Sequence, residues 1–103
     1  MRQLLDLSII EAAAKRIGQA AIPTPLEHNK RLSKLYDANI LMKREDLQPV
    51  RSFKIRGAYN KISLLNKIAR EKGVVCSSAG NHAQGVAYAC SHHNIHGTIF
   101  MPS

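Results

Sequence analysis

The stretch Gln48-Pro49-Val50-Arg51-Ser52-Phe53-Lys54-Ile55-Arg56-Gly57-Ala58-Tyr59 decides how the chain is read. Pro49 disfavours helix at Gln48, and Ser52 is placed to cap a helix that opens at the lysine. An ammonium in a first helical turn meets the positive end of the helix dipole, so the position favours the neutral amine. A neutral amine is a nucleophile and a Schiff-base former. Taken by its spacing alone, Lys54 has a second reading, that of an ordinary solvated surface lysine.

Outward from that stretch, strand and helix signals alternate. Ala38–Lys43 (Ala-Asn-Ile-Leu-Met-Lys) reads as a buried strand, and Arg44–Arg51 as a loop. Ser52–Glu71 reads as one long helix with Tyr59, Ile62, Leu65 and Ile68 in a stripe, ended by Gly73. Val74-Val75-Cys76 is a short apolar strand, Ser77–Gly80 a turn, Asn81–His93 a second helix and Thr98–Met101 another strand. Upstream, Ser8-Ile9-Ile10-Glu11 has the form of a capping box for a helix to about Gln19. Ile22–Leu26, with two prolines, is extended, and a short helix follows near Asn29–Tyr36. The order strand, helix, strand, helix, strand predicts an α/β fold with parallel βαβ units and helices packed on the sheet.

Composition narrows the function classes. The chain has 103 residues, 45% hydrophobic and 21% charged, which is enough for a core and at most one domain, or part of a larger one. No apolar run is long enough to cross a bilayer, and the first residues lack the apolar core of a signal peptide. Cys76 and Cys90 form no CxxC pair, so reduced thiols in the cytoplasm are expected. The formal charge of +8 raises the question of nucleic acid. The basic residues are scattered, however, and two Phe, three Tyr and no Trp supply a poor stacking platform. An anionic small ligand accounts for the sign equally well. A basic nucleic-acid-binding module, predicted to show salt-dependent retention on DNA or RNA, is the alternative from another class.

Two loops open helices: the one before Lys54, and Ser77-Ser78-Ala79-Gly80-Asn81-His82. Such loops line the crevice of open α/β sheets. The second offers small residues and unpaired helix N–H groups suited to a carboxylate, or else is a plain serine-capped turn. GxGxxG and the P-loop pattern are both absent. Cys90, His92, His93 and His96 match no standard zinc spacing, and no metal is expected. Ser52 and Lys54 do not have the SxxK spacing of a Ser-Lys hydrolase pair.

Lys43–Ala58, followed by Ser78-Ala79-Gly80-Asn81-His82-Ala83-Gln84-Gly85-Val86-Ala87, closely resembles the N-terminal part of the threonine dehydratases (threonine ammonia-lyases). These are pyridoxal-phosphate enzymes of the tryptophan-synthase-β type, also called fold type II. Ile22–Leu26 matches as well, so the resemblance covers about Ile22 to Ser103. It implies that Lys54 bonds pyridoxal phosphate and later takes the Cα proton. It implies further that Phe53 packs on the cofactor ring, that Asn81 hydrogen-bonds its 3′-oxygen, and that Ser78, Ala79, Gly80 and His82 hold the substrate carboxylate. The implied reaction turns L-threonine into 2-oxobutanoate and ammonia, and L-serine into pyruvate, in isoleucine biosynthesis or threonine catabolism.

Serine racemases carry a serine, the opposite-face acid/base, where this chain has Ala79, which favours dehydration over racemisation. Cysteine synthases have Lys-Asp-Arg and Gly-Asn-Thr-Gly where this chain has Lys54-Ile55-Arg56 and Gly80-Asn81-His82. The family's phosphate-cradling loop and the partner of its pyridine nitrogen fall beyond residue 103. The expectation is therefore an incomplete N-terminal part of a catalytic domain, inactive alone. It would comprise a helical segment (1–21), the lysine segment (22–72) and the start of a smaller βαβ subdomain (73–103). Its partners would be the rest of that domain, an amino-acid substrate and further copies in an oligomer, with neither nucleic acid nor membrane.

Overall fold

The computed structural model describes residues 6–18 and 20–102. Helix α1 spans Leu7–Ile17. Its cap is Asp6 rather than the predicted Ser8: the Asp6 carboxylate accepts the Ser8 N–H at 3.2 Å and the Ser8 hydroxyl at 2.9 Å. A carboxylate there takes both local donors, and the predicted box with Glu11 is displaced. The expected helix end at Gln19 lies outside the described residues.

Strand β1 (Leu26–His28) and strand β2 (Leu41–Lys43) pair antiparallel, with Glu27 opposite Met42. Between them lies α2 (Lys30–Leu35), capped by the Asn29 side chain on the Leu32 N–H. The buried strand expected at Ala38–Lys43 is thus shorter and exposed, and it stands outside the parallel sheet. An apolar run shows that a strand wants cover, but not what covers it. Among the described residues β1 is the one strand that pairs with β2. Glu45–Leu47 then forms one 3₁₀ turn inside the predicted loop.

The predicted long helix is two. Helix α3 spans Lys54–Ser63 and α4 spans Lys67–Lys72. The break has identifiable causes. Ser63 bonds back to the Tyr59 carbonyl at 2.7 Å, and the Arg70 guanidinium takes the Ser63 and Leu65 carbonyls at 2.9 Å each. Asn66, a poor helix-interior residue and a good cap, accepts the Ala69 N–H. Ile68, expected on the buried stripe, is consequently exposed. Gly73 ends α4 as predicted, at φ +85°, where a Cβ would stand 2.7 Å from the His96 carbonyl oxygen.

Strand β3 (Val74–Ser77), helix α5 (Asn81–His92) and strand β4 (Gly97–Phe100) form the parallel βαβ unit, with Cys76 opposite Ile99. Helix α5 packs on α3 so closely at Gly85 that a Cβ would lie 3.0 Å from the Lys54 carbonyl oxygen and 3.3 Å from Ala58 Cβ. Tyr59, Ile62, Val86, Ala89, Cys90 and Ile95 make the main core there, with Ala20 and Ala58. A smaller cluster of Ala21, Val50 and Ile55 lies under the loop before Lys54. Helix α1 joins this body through α3, where Arg16 donates to Asn60 at 2.8 Å. Among the described residues no helix is long and apolar enough to cross a membrane.

Candidate functional site

Lys54 is the first residue of α3 and is half-buried. Phe53 precedes it, 61% exposed, with the Lys54 ammonium nitrogen 5.7 Å from its ring centre. The predicted cap is not made. Phe53 occupies the cap position without a side-chain bond, and the buried Ser52 hydroxyl has no hydrogen-bond partner among the described residues.

Phe53, Lys54 and His82 line a common cavity of about 340 Å³, with Arg56, Gly57 and Ala58 completing the wall. His82 is the second residue of α5, so the cavity lies where the N-terminal ends of α3 and α5 come together. A second, apolar cavity of about 310 Å³ continues from it. It shares Gly57, Ala58 and His82 and adds residues of β3, among them Val75 and Cys76.

The turn Ser78–Asn81 adjoins His82 along the chain but is not in the wall of the first cavity. Its conformation is held by Ser78, whose hydroxyl oxygen accepts the N–H groups of Gly80 and Ala83 at 3.3 Å each. The N–H groups of Asn81 and His82, in the first turn of α5, have no acceptor within the helix and point the positive end of its dipole outward. Ala79, Gly80 and Asn81 are exposed. The structure therefore groups Phe53, Lys54 and His82, and leaves Ser78, Ala79, Gly80 and Asn81 as an open turn beside them.

Five residues to which the sequence reading gave no role support this site. Gly57 sits within α3, where glycine costs about 1 kcal/mol relative to alanine. Its backbone does not require glycine, since a Cβ added there would meet no atom within 4 Å. Gly57 lines both cavities, so its missing Cβ leaves space for something other than this chain's own atoms. A glycine at a helix-interior position was the available signal.

The others form a brace behind Lys54. Arg56 grips Glu45 with two prongs, Nε and Nη2, at 2.8 Å each. Glu45 also accepts the Thr24 hydroxyl at 2.7 Å. The Arg56 hydrogen bonds, with smaller help from Thr24, hold the Glu45 carboxyl down at about 2, against the opposing effect of burial. Gln48, fully buried, takes the Ile22 N–H at 3.0 Å and donates to the Ile22 carbonyl at 2.9 Å. No spacing rule announces contacts across 11 and 26 residues.

Away from the cavity, His92 meets the Tyr59 ring edge-on and His93 packs tilted against it, and His93 Nε2 lies 3.1 Å from the Ser63 hydroxyl. Burial, then the neighbouring Arg70 and His92, lower the His93 pKa. Among the described residues no three His, Cys, Asp or Glu side chains gather as a metal site.

Residues 17–103 match the family model described as "Pyridoxal-phosphate dependent enzyme". The L-threonine dehydratase biosynthetic IlvA of Bacillus subtilis is 56% identical over 100 residues, which are 97% of this chain and 24% of that protein. The processed form of threonine deaminase isoform 2 from Solanum lycopersicum is 43% identical, with a TM-score of 0.75 over 95% of this chain and 28% of that one. Maize serine racemase superposes with a TM-score of 0.86 at 34% identity, over 97% of this chain and 31% of that one. The chain thus spans about a quarter of the length of the curated relatives it matches.

Proposed function

The chain belongs to the pyridoxal-phosphate-dependent enzymes, and from that premise we propose that Lys54 is their cofactor-bearing lysine. In a chain of the relatives' length, the reaction is the dehydration and deamination of L-threonine, and of L-serine, to a 2-oxo acid and ammonia. The observation that carries this reading is the cavity shared by Lys54, Phe53 and His82 at the meeting helix ends. An amine, a flat aromatic face and the space left by Gly57 fit an aromatic aldehyde.

The cofactor, when bound, supplies a sink for the electrons of the substrate's Cα–H bond. The residues of this chain do the rest. Lys54 would hold the cofactor through Nζ, and its amine, when free, would take the Cα proton. Phe53 would offer its exposed face to the cofactor ring, and Asn81, in the adjoining turn, would supply an amide donor to it. The free N–H groups of Asn81 and His82 receive the substrate carboxylate in the turn that Ser78 holds and that Ala79 and Gly80 leave uncrowded.

A second reading, a serine racemase, draws on the superposition with the maize enzyme. Ala79 argues against it. Inverting Cα needs a proton donor on the face opposite the lysine, and a methyl group has none to give. D-serine accumulating from L-serine as fast as pyruvate would favour the second reading.

The test of the first is borohydride reduction of the full-length holo-protein followed by peptide mapping. The expected label is on Lys54, and a label on any other lysine overturns the assignment. This reading also places the protein in the cytoplasm, in an oligomer and in isoleucine biosynthesis, in keeping with the word biosynthetic in the relatives' names.

A further inference from the structure

The first turn of α3 lacks the devices that usually fix a helix start. Phe53 caps nothing and the Ser52 hydroxyl is unpaired. The turn holds no acid and two cations, Lys54 and Arg56. An uncapped first turn carrying cations is prone to fray, since the dipole opposes the charge; the Arg56 N–H reaches the Phe53 carbonyl at 3.1 Å, but no side chain caps the turn. The catalytic amine nonetheless stands on that turn.

Glu45 supplies from outside the helix what the turn lacks within it. Its carboxylate engages Arg56 by the fork-to-fork contact that fixes both distance and plane. Thr24 holds the same carboxylate, and Gln48 approaches it at 3.4 Å while clamping the Ile22 backbone. Two separate segments, one with Ile22 and Thr24 and one with Glu45 and Gln48, thus converge on one helical turn. Arg56 also lines the cavity of Lys54. The charged and titratable groups about that amine are Arg56 on its own helix, His82 from α5, and Glu45 reached through Arg56.

We propose that Glu45 is the positioning residue of Lys54: through Arg56 it pins the first turn of α3 and cancels a positive charge that would otherwise face the lysine–cofactor bond. The inference rests on Lys54 being the cofactor lysine. Glu45 acts on the reaction only through Arg56.

The experiment uses the full-length holo-protein, with the pH titration of the visible lysine–cofactor chromophore as readout beside activity. In Glu45→Gln an uncompensated guanidinium disfavours the protonated chromophore, so its pH midpoint falls by roughly half a unit or more. Cofactor dissociates more readily, with a dissociation constant raised about tenfold by the looser lysine. Thr24→Val removes a hydrogen bond from the same carboxylate without changing charge, and leaves the midpoint in place.

Equal losses of thermal stability in both variants, with no shift of midpoint in either, would reduce Glu45 to a structural residue and overturn the proposal. Should Glu45→Gln not accumulate folded, Arg56→Lys decides. It keeps the charge but not the fork, and is expected to hold the midpoint while weakening cofactor retention several-fold; retention equal to the parent's overturns the proposal. Borohydride labelling of the unsubstituted protein separates the two levels. A label away from Lys54 overturns both readings, whereas a label on Lys54 with an unmoved Glu45→Gln midpoint and unchanged retention overturns this one alone.

Discussion

Between Lys54 and Phe100, helices α3 and α5 bury Ile55, Ala58, Tyr59, Ile62, Ala83, Val86, Ala89 and Cys90, while β1, α2 and β2 bury nothing. Both regions obey the same local rules. Asn29 caps α2 as Asn66 caps α4, and each helix is six residues long. The difference lies in partners. Helix α3 has α5 laid against it down to the bare backbone of Gly85, whereas the β1–β2 pair is joined mainly by its ladder and by ion pairs such as Arg44–Glu27 at 2.9 Å. Exposed pairs of that kind contribute at most about 1 kcal/mol. Local chemistry shapes an element; burial against a neighbour stabilises it.

The contrast is open to measurement. Ile55 is fully buried, so Ile55→Ala is expected to cost about 3 kcal/mol in denaturant unfolding. Leu35→Ala in α2, 65% exposed, is expected to stay within about 0.5 kcal/mol. Similar losses at the two positions would break the comparison.

The brace between the regions gives the next effect. Glu45 is held at about 2 in the folded chain against an ordinary 4.5, so the folded carboxylate binds its proton less readily than the unfolded one. Its contribution is complete above about pH 4.5 and is lost as pH falls toward 2, to the extent of roughly 2 kcal/mol. Acid unfolding of Glu45→Gln should lack that slope.

A smaller effect has the opposite sign. Gly57→Ala should stabilise the cofactor-free protein by up to about 1 kcal/mol, because alanine is the better helix former and meets no clash. The same change should weaken cofactor binding in the full-length protein. A drop in apo stability would show that other protein atoms fill that space. The smallest effect concerns His93. Its folded pKa lies below the ordinary 6.5, so the unfolded chain takes up the proton first as pH falls. Thermal stability should therefore decline slightly between pH 7 and 5, and His93→Gln should flatten that decline.

What the sequence disclosed follows the same division. The βαβ unit at Val74–Phe100 and the lysine at a helix start were legible, because strand runs, Gly73 and the loop residues are local signals. The split of the predicted long helix was not, since it depends on Arg70 reaching back to two carbonyls. Nor was the antiparallel β1–β2 pair, because Ile40-Leu41-Met42 reads alike whichever strand lies beside it. At the site, Phe53, Lys54 and His82 came from motif positions. Glu45 and Gln48 were missed because their partners lie 11 and 26 residues away.

Gln48 has one more consequence. By accepting from one peptide group and donating to the same residue's carbonyl, its amide impersonates a missing neighbour strand for a single rung. The backbone at Ile22 is thereby closed to recruitment by any passing extended chain, with no strand spent on guarding it. Asparagine would fall a methylene short of this mimicry, and glutamate, having no N–H, would manage only half of it.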